Sequence, residues 1–207
     1  MRRTKEDAHN TREDILNAAV TIFSEKGVGA STLEEIAQKA NVTRGAIYWH
    51  FKNKAEIFDA LHERMHRPIV EMLIEDIEKD HPEPIQQLRD MCVRLLMNIE
   101  EDAMKRQAMM LFIIKTNYSG DMAIYKENYL AKKEEGKKLF RRYFEKAQKA
   151  GKLSKDSNPE LLTEAISCYM KGVLHEYLIN PEGFNMKKKA PQLIELFLNN
   201  IGLNEGN

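Results

Sequence analysis

The sequence predicts an all-α protein, and three observations carry that prediction. Apolar residues recur at helical spacing along nearly the whole chain. The segments they mark are punctuated by capping residues, prolines and glycines where helices start and stop. No stretch alternates apolar and polar residues as a half-buried strand does, and no internal repeat or low-complexity segment interrupts the pattern.

The first helix is expected over residues 11–26, with Ile15, Ala18, Ala19, Ile22 and Phe23 as its apolar side, Thr11 as cap and Gly27 as stop. Thr32 and Glu35 form a T-x-x-E capping box that opens a second, short helix with Leu33, Ile36, Ala37 and Ala40 along one stripe. Asn41 and Val42 make the break. Thr43 then caps a third helix whose inner face is Ile47 and Phe51, one turn apart. A three-helix unit of this size is small, so its stability depends on support from later helices. Lys54 opens a fourth helix with Ile57, Phe58, Leu61 and Met65 inward. Pro68 lacks an N–H and crowds the preceding turn, so it is expected to bend or end that helix.

Beyond Pro68, the stripe Ile69, Met72, Leu73 and Ile77 is broken by His81-Pro82-Glu83-Pro84. A helix over residues 85–101 carries Leu88, Met91, Cys92, Leu95, Leu96 and Ile99. The next, residues 103–115, is apolar nearly all round and is expected to be deeply buried. After a loop at 116–121, a long helix over 122–150 stops at Gly151. Asn158-Pro159, a cap followed by proline at the first helical position, starts a helix running to residue 179. A turn with Pro181 and Gly183 leads to the last helix, residues 186–201. These two final helices have wide apolar faces, as expected when helices pack both inward and against a second copy.

At 207 residues the chain has room for one or two domains and a sizeable core. Lys plus Arg and Asp plus Glu both number 32, so net charge says nothing of a nucleic-acid partner. The distribution is more informative: Arg2, Arg3 and Lys5 precede any acid and suit a phosphate backbone. Cys92 and Cys168 are too few for a disulfide framework and sit in apolar helical contexts, where a free thiol behaves as a small hydrophobe. The longest uninterrupted apolar run, Ala108 to Ile114, is seven residues, against the ~20 of a membrane span. The N-terminus lacks the apolar region of a signal peptide. A cytoplasmic protein with no membrane partner is expected.

From Lys39 to Lys54 there are four basic residues, Lys39, Arg44, Lys52 and Lys54, and no acid. Thr43, Arg44, Gly45, Tyr48, Trp49 and His50 point away from the inner face of the third helix. Together they combine phosphate donors with planar groups that pack on sugars and thymine methyls. Gly45 removes a side chain where backbone and DNA approach. A buried aromatic patch with a basic fringe accounts for Phe51 and Trp49, but not for Arg44, Tyr48 and His50 on the outward side.

These residues carry a resemblance. TLEEIAQKANVTRGAIYWHFKNK, with TREDILNAAVTIFSEKG before it, resembles the DNA-binding domain of the tetracycline-repressor (TetR) family of bacterial transcription regulators. The run VTRGAIYWHFKNKAEIF looks most like the multidrug-efflux repressors of the AcrR type. The resemblance implies that Thr32, Thr43, Arg44, Gly45, Tyr48, Trp49, His50 and Lys54 sit where family members touch DNA. It also implies a helix-turn-helix DNA-binding domain over residues 1–53, joined to a larger helical ligand-binding and dimerisation domain over 54–207. The expected partners are a double-stranded, palindromic DNA operator, a second copy of the chain forming a homodimer through the two last helices, and a hydrophobic small-molecule inducer. No cofactor is implied.

For the inducer, Met91, Leu95, Met109, Met110, Ile113, Phe140, Ser167, Met170 and Leu174 are candidates for a common interior, with His66, Lys171 and His175 as polar contacts. The chain has eleven methionines, whose flexible, polarizable side chains re-pack around different apolar guests. Taken singly, each is equally a gap-filling core residue.

A competing enzyme reading rests on His62-Glu63-Arg64-Met65-His66, a literal H-E-x-x-H that would set two imidazoles one turn apart for zinc. No third ligand follows in a metalloprotease arrangement, and Leu61 and Met65 are more simply one apolar face, with His62 and Glu63 solvated. No nucleophile elbow, phosphate-cradling glycine loop or C-x-x-C pair occurs. No catalytic or metal-binding residue is therefore assigned. A DNA-binding activator is the other alternative to a repressor.

Overall fold

The structure is a computed structural model and describes residues 4–79, 81–116 and 123–201. Arg2 and Arg3 of the basic arm, most of the expected loop at 116–121 and Met122 lie outside the described residues. Among the described residues the chain is helical, with nine α-helices, one π-helical turn and no strand. It gathers into two compact units: one takes the chain up to His66 with Ala103–Tyr129, the other Arg67–Asp102 with the chain from Leu130 onward.

In the first unit, α1 spans Lys5–Ala30. It starts well before the expected Thr11, because Thr4 and Asp7 form a capping box. Thr11 is no cap: its hydroxyl donates to the Asp7 carbonyl at 2.8 Å. Gly27 does interrupt the helix, with φ 79° and ψ 156°, a conformation open essentially to glycine alone. A short helical piece then reaches Ala30. Two short helices follow, α2 at Leu33–Lys39 and α3 at Arg44–His50, and α4, Lys54–Glu78, begins in this unit and belongs to the second from Arg67.

Of the two outcomes expected at Pro68, a bend or an end, the helix does not end there: Pro68 lies inside α4. The residue is exposed, so water can serve the carbonyl of residue 64 that loses its donor. Interior proline costs ~3 kcal/mol, while buried Leu73 and Ile77 in the following turns contribute ~1.5–3 kcal/mol each. The helix survives because the second term outweighs the first.

The core of the first unit brings Ile15, Leu16, Ala19 and Phe23 of α1 together with Ile36, Ile47, Phe51, Ile57 and Leu61. It also takes in Ala108 of α6 (Ala103–Met110) and Leu111 and Phe112 of the π turn Leu111–Lys115. Phe112 meets Phe58 edge-on at 5.2 Å, and Lys115 reaches the Ser24 carbonyl of α1. Deep burial of the whole 103–115 stretch is corrected: only Ala108, Leu111 and Phe112 are buried, while Met109, Met110, Ile113 and Ile114 remain half-buried. The π turn changes the number of residues per turn, so one apolar face is not carried evenly along the segment.

In the second unit, α5 covers Pro84–Glu101, α7 Ile124–Lys149, α8 Pro159–Ile179 and α9 Met186–Leu198. The α7 helix begins in the first unit and belongs to the second from Leu130. It closes on Gly151 at φ 72°, where the Lys152 N–H bonds the Ala147 carbonyl. Asn158 caps α8 through the Glu160 and Leu161 N–H groups, as its N-P start signal predicts. Asp76 is buried and accepts from Tyr143 Oη at 2.8 Å and Arg94 Nη2 at 2.9 Å. The Asp76 carbonyl accepts from Gln87. No helix among the described residues is long and apolar enough to cross a membrane.

Candidate nucleic-acid interface

The α2-turn-α3 scaffold forms for local reasons. Thr32 Oγ1 accepts from the Glu35 N–H at 3.2 Å, and Glu35 Oε2 accepts from the Thr32 N–H at 2.9 Å. The Lys26 ammonium, followed by the Thr32 N–H, holds the Glu35 carboxyl below its ordinary value. Asn41 makes the turn at φ 55°, a left-handed position that asparagine tolerates. Thr43 Oγ1 accepts from the Ala46 N–H at 3.1 Å and so caps α3.

Ala46 and Ile47 turn α3 onto the core, and Phe51 closes that face from the position after the helix. What remains is displayed. Thr32, Thr43, Arg44 and Gly45 are exposed, Tyr48 is 44% exposed and Trp49 is 73% exposed. A Cβ on Gly45 would meet nothing nearer than Thr43 Oγ1 at 4.0 Å, so the protein itself does not require a glycine there.

His50 departs from its expected outward position and is half-buried. Its ring stands edge-on to Trp49 at 4.5 Å and lies 6.3 Å from that of Phe51. Lys54 is half-buried too, donating to the Gly29 carbonyl at 2.7 Å. Arg44 Cζ lies 5.7 Å from the Tyr48 ring centroid, and its Nε is 3.2 Å from Glu34 Oε1. Glu34 was invisible as a site residue in the sequence, because the pairing is between helices.

The residues considered for a ligand divide between the units. His66, Met109, Met110 and Ile113 belong to the first, and Met91, Leu95, Phe140, Ser167, Met170, Lys171, Leu174 and His175 to the second. Met91 and Leu174 are buried; Leu95, Phe140, Ser167, Met170 and His175 are half-buried. Lys171 is exposed. The Ser167 hydroxyl donates within its helix to the Thr163 carbonyl at 2.7 Å, and His175 Nδ1 lies 3.5 Å from Glu176. A groove of about 310 Å³ in the first unit is lined by Asp14, Asn17, Ala18, Thr21, Lys39, Ala40 and Met104, none of them ligand candidates.

The H-E-x-x-H histidines serve ring packing. His62 is half-buried rather than solvated, 5.2 Å from Phe112, 5.6 Å from Tyr129 and stacked on His66 at 5.8 Å. Among the described residues no group of three or more His, Cys, Asp or Glu side chains is placed to hold a metal ion. Cys92 is buried as expected of a small hydrophobe, but Cys168 is exposed on α8.

The description "Bacterial regulatory proteins, tetR family" matches residues 15–61, and "MAATS-type transcriptional repressor, C-terminal region" matches residues 83–202. The transcriptional repressor BepR of Brucella suis biovar 1 is 34% identical over 203 residues, 97% of this chain and 96% of BepR. The transcriptional regulator AcrR of Shigella flexneri is 30% identical over 197 residues, 95% of this chain and 92% of AcrR. Among solved structures, NalD, the secondary repressor of the MexAB-OprM multidrug efflux pump in Pseudomonas aeruginosa, has a TM-score of 0.84 at 29% identity, covering 98% of this chain and 100% of that one. SmeT, the repressor of the Stenotrophomonas maltophilia efflux pump SmeDEF, in complex with triclosan has a TM-score of 0.82 at 30% identity, covering 91% and 90%. Matched in both its N-terminal and C-terminal parts, and alignable with BepR along nearly its whole length, the chain belongs to the TetR family of bacterial transcription regulators.

Proposed function

We propose that this regulator is a ligand-responsive repressor that binds a palindromic operator as a homodimer and controls a multidrug-efflux or other transport operon. The observation that carries the reading is α3 itself: Ala46 and Ile47 are buried, while Thr43, Arg44, Gly45, Tyr48 and Trp49 stand on the surface. Trp49, 73% exposed, and Tyr48, 44% exposed with Arg44 against its ring, offer planar groups and a cation to nucleic acid. The open space at Gly45 suits close approach of a DNA backbone.

In this reading Arg44 meets a base edge, Thr43 and Tyr48 take phosphates, Trp49 packs on the sugar backbone and His50 supports it. Lys54 and Thr32 flank the helix with further phosphate contacts. Residues 1–53 then form the DNA-binding domain and 54–207 the ligand-binding and dimerisation domain. Leu161 and Ile179 of α8 and Leu196 of α9, all exposed, face the second copy. Two α3 helices held ~34–36 Å apart read successive major grooves of one palindrome.

Inducer binds residues among the candidates, with Met91, Leu95, Phe140, Met170 and Leu174 as the apolar set of the second unit. It shifts α4 residues 54–67 and so mis-sets the half-site spacing. Release follows only if inducer binds the released state better, since equal affinity shifts nothing. Couplings of ~1–3 kcal/mol give a severalfold to hundredfold loss of operator affinity.

The test is selection of bound fragments from random DNA, followed by anisotropy titration of the selected duplex with and without triclosan, the compound held by SmeT. A palindromic consensus and weaker binding in the presence of drug are expected. A drug that binds at micromolar levels and leaves duplex affinity unchanged sinks the release step. Lower promoter output after gene deletion would mark an activator.

A further inference from the structure

We propose that Glu34 is a positioning and specificity-determining residue: it pins the Nε edge of Arg44 so that the guanidinium presents its terminal fork to a base. The inference rests on the reading of α3 as a DNA-reading helix. Arg44 Nε lies 3.2 Å from Glu34 Oε1, and the two side chains are 71% and 52% exposed. The same guanidinium lies 5.7 Å from the Tyr48 ring centroid. A carboxylate of α2 thus lies beside the Nε edge of the guanidinium, and a ring of α3 lies within cation–π range of it.

Glu34 sits in the first turn of α2, where the helix dipole favours an acid, but the N-cap of α2 does not need it. The capping box is closed by Glu35, which also pairs with Lys26. A surface pair such as Glu34 with Arg44 adds little to stability. On a phosphate-binding surface a carboxylate is a liability, since it repels the backbone that Arg44 would otherwise attract.

Orientation is what it supplies. With Nε engaged, both terminal nitrogens remain free, and their fork matches O6 and N7 of guanine. An untethered Arg44 settles on the nearest phosphate, a contact that carries no sequence information. Glu34 thus trades general DNA affinity for discrimination.

The experiment uses the full-length protein, the duplex selected from random DNA and an unrelated duplex of equal length. Wild type, Glu34→Gln, Glu34→Asp and Arg44→Lys are compared, each first shown to unfold at the wild-type temperature. Glu34→Gln is expected to bind unrelated DNA more tightly and to lower the ratio of specific to unrelated affinity by about twofold to fivefold, the scale of one exposed ion pair. The loss falls on one base pair per half-site, Glu34→Asp recovers part of it, and adding Glu34→Gln to Arg44→Lys changes that base pair's preference no further. An unchanged ratio, an equal shift in both affinities, or a loss spread evenly over the site overturns the inference while leaving DNA binding intact. Failure of the wild type to select any duplex overturns the DNA-binding reading, and this inference with it.

Discussion

Lys54 Nζ, in the first turn of α4, donates to the carbonyl of Gly29, just past the Gly27 kink of α1, at 2.7 Å. It ties the start of one helix to the end of another 25 residues earlier. Lys54 is therefore a structural clamp as well as a candidate phosphate contact.

Lys54→Ala removes both roles at once, whereas Lys54→Met keeps the alkyl stem. Each is expected to destabilise the protein by about 1 kcal/mol in urea titration, the scale of a partly exposed hydrogen bond. Each should also reduce the slope of log affinity against log salt by about one. An unchanged slope leaves Lys54 with the structural role alone.

Trp49 and Ile47 stand on opposite sides of α3, one 73% exposed and the other fully buried. Trp49→Ala should leave stability within about 0.5 kcal/mol of wild type and weaken duplex binding. Ile47→Ala should cost about 2–5 kcal/mol through the cavity it leaves. Thermal unfolding and DNA titration of both variants, side by side, separate display from packing. Equal stability losses would mean that Trp49 packs on the protein after all.

Tyr143 predicts a pH dependence. Burial, then the Asp76 hydrogen bond, raises its hydroxyl above the ordinary value of 10.0. Because the folded value lies above the unfolded one, the folded state holds the proton more tightly. This contribution is complete below about pH 10 and is lost as pH rises further. Tyr143→Phe should cost about 1–3 kcal/mol at neutral pH, where Asp76 keeps Arg94 but loses its buried donor. The gap to wild type should narrow above about pH 10, as read by chemical denaturation across the range. A constant gap would dissociate the tyrosine from the alkaline loss.

Leu196 of α9 is 62% exposed in the single chain. If it faces a second copy, Leu196→Glu puts like charges together on a surface that would otherwise be dry. Sedimentation should then show a monomer, with near-wild-type helicity and little binding to a palindromic duplex. A dimer of unchanged affinity would move the interface elsewhere.

Features set by neighbouring residues were legible in the sequence. The Thr32–Glu35 box, the Thr43 cap, the Asn158-Pro159 start and the Gly151 stop each depend on groups within about one helical turn. The Thr4 cap escaped because residues 5–10 are mostly polar and give α1 no apolar stripe before Ile15. Pro68 does not end α4 because its local penalty is outweighed by burial farther along the helix. Among the site residues, exposure of Arg44, Tyr48 and Trp49 followed from periodicity. The partners of Lys54 and Arg44, namely Gly29 and Glu34, come from other helices, and no spacing rule announces them.

The contribution of Ala108, Leu111 and Phe112 to the same core as Ile36 and Ile47 bears on modular engineering. A swap that transplants only the first 66 residues onto a foreign sensor would leave Phe23 and Phe58 short of neighbours supplied much later in the chain. Chimeric switches built from this scaffold should carry residues 103–115 along with the N-terminal segment, as one inseparable cassette.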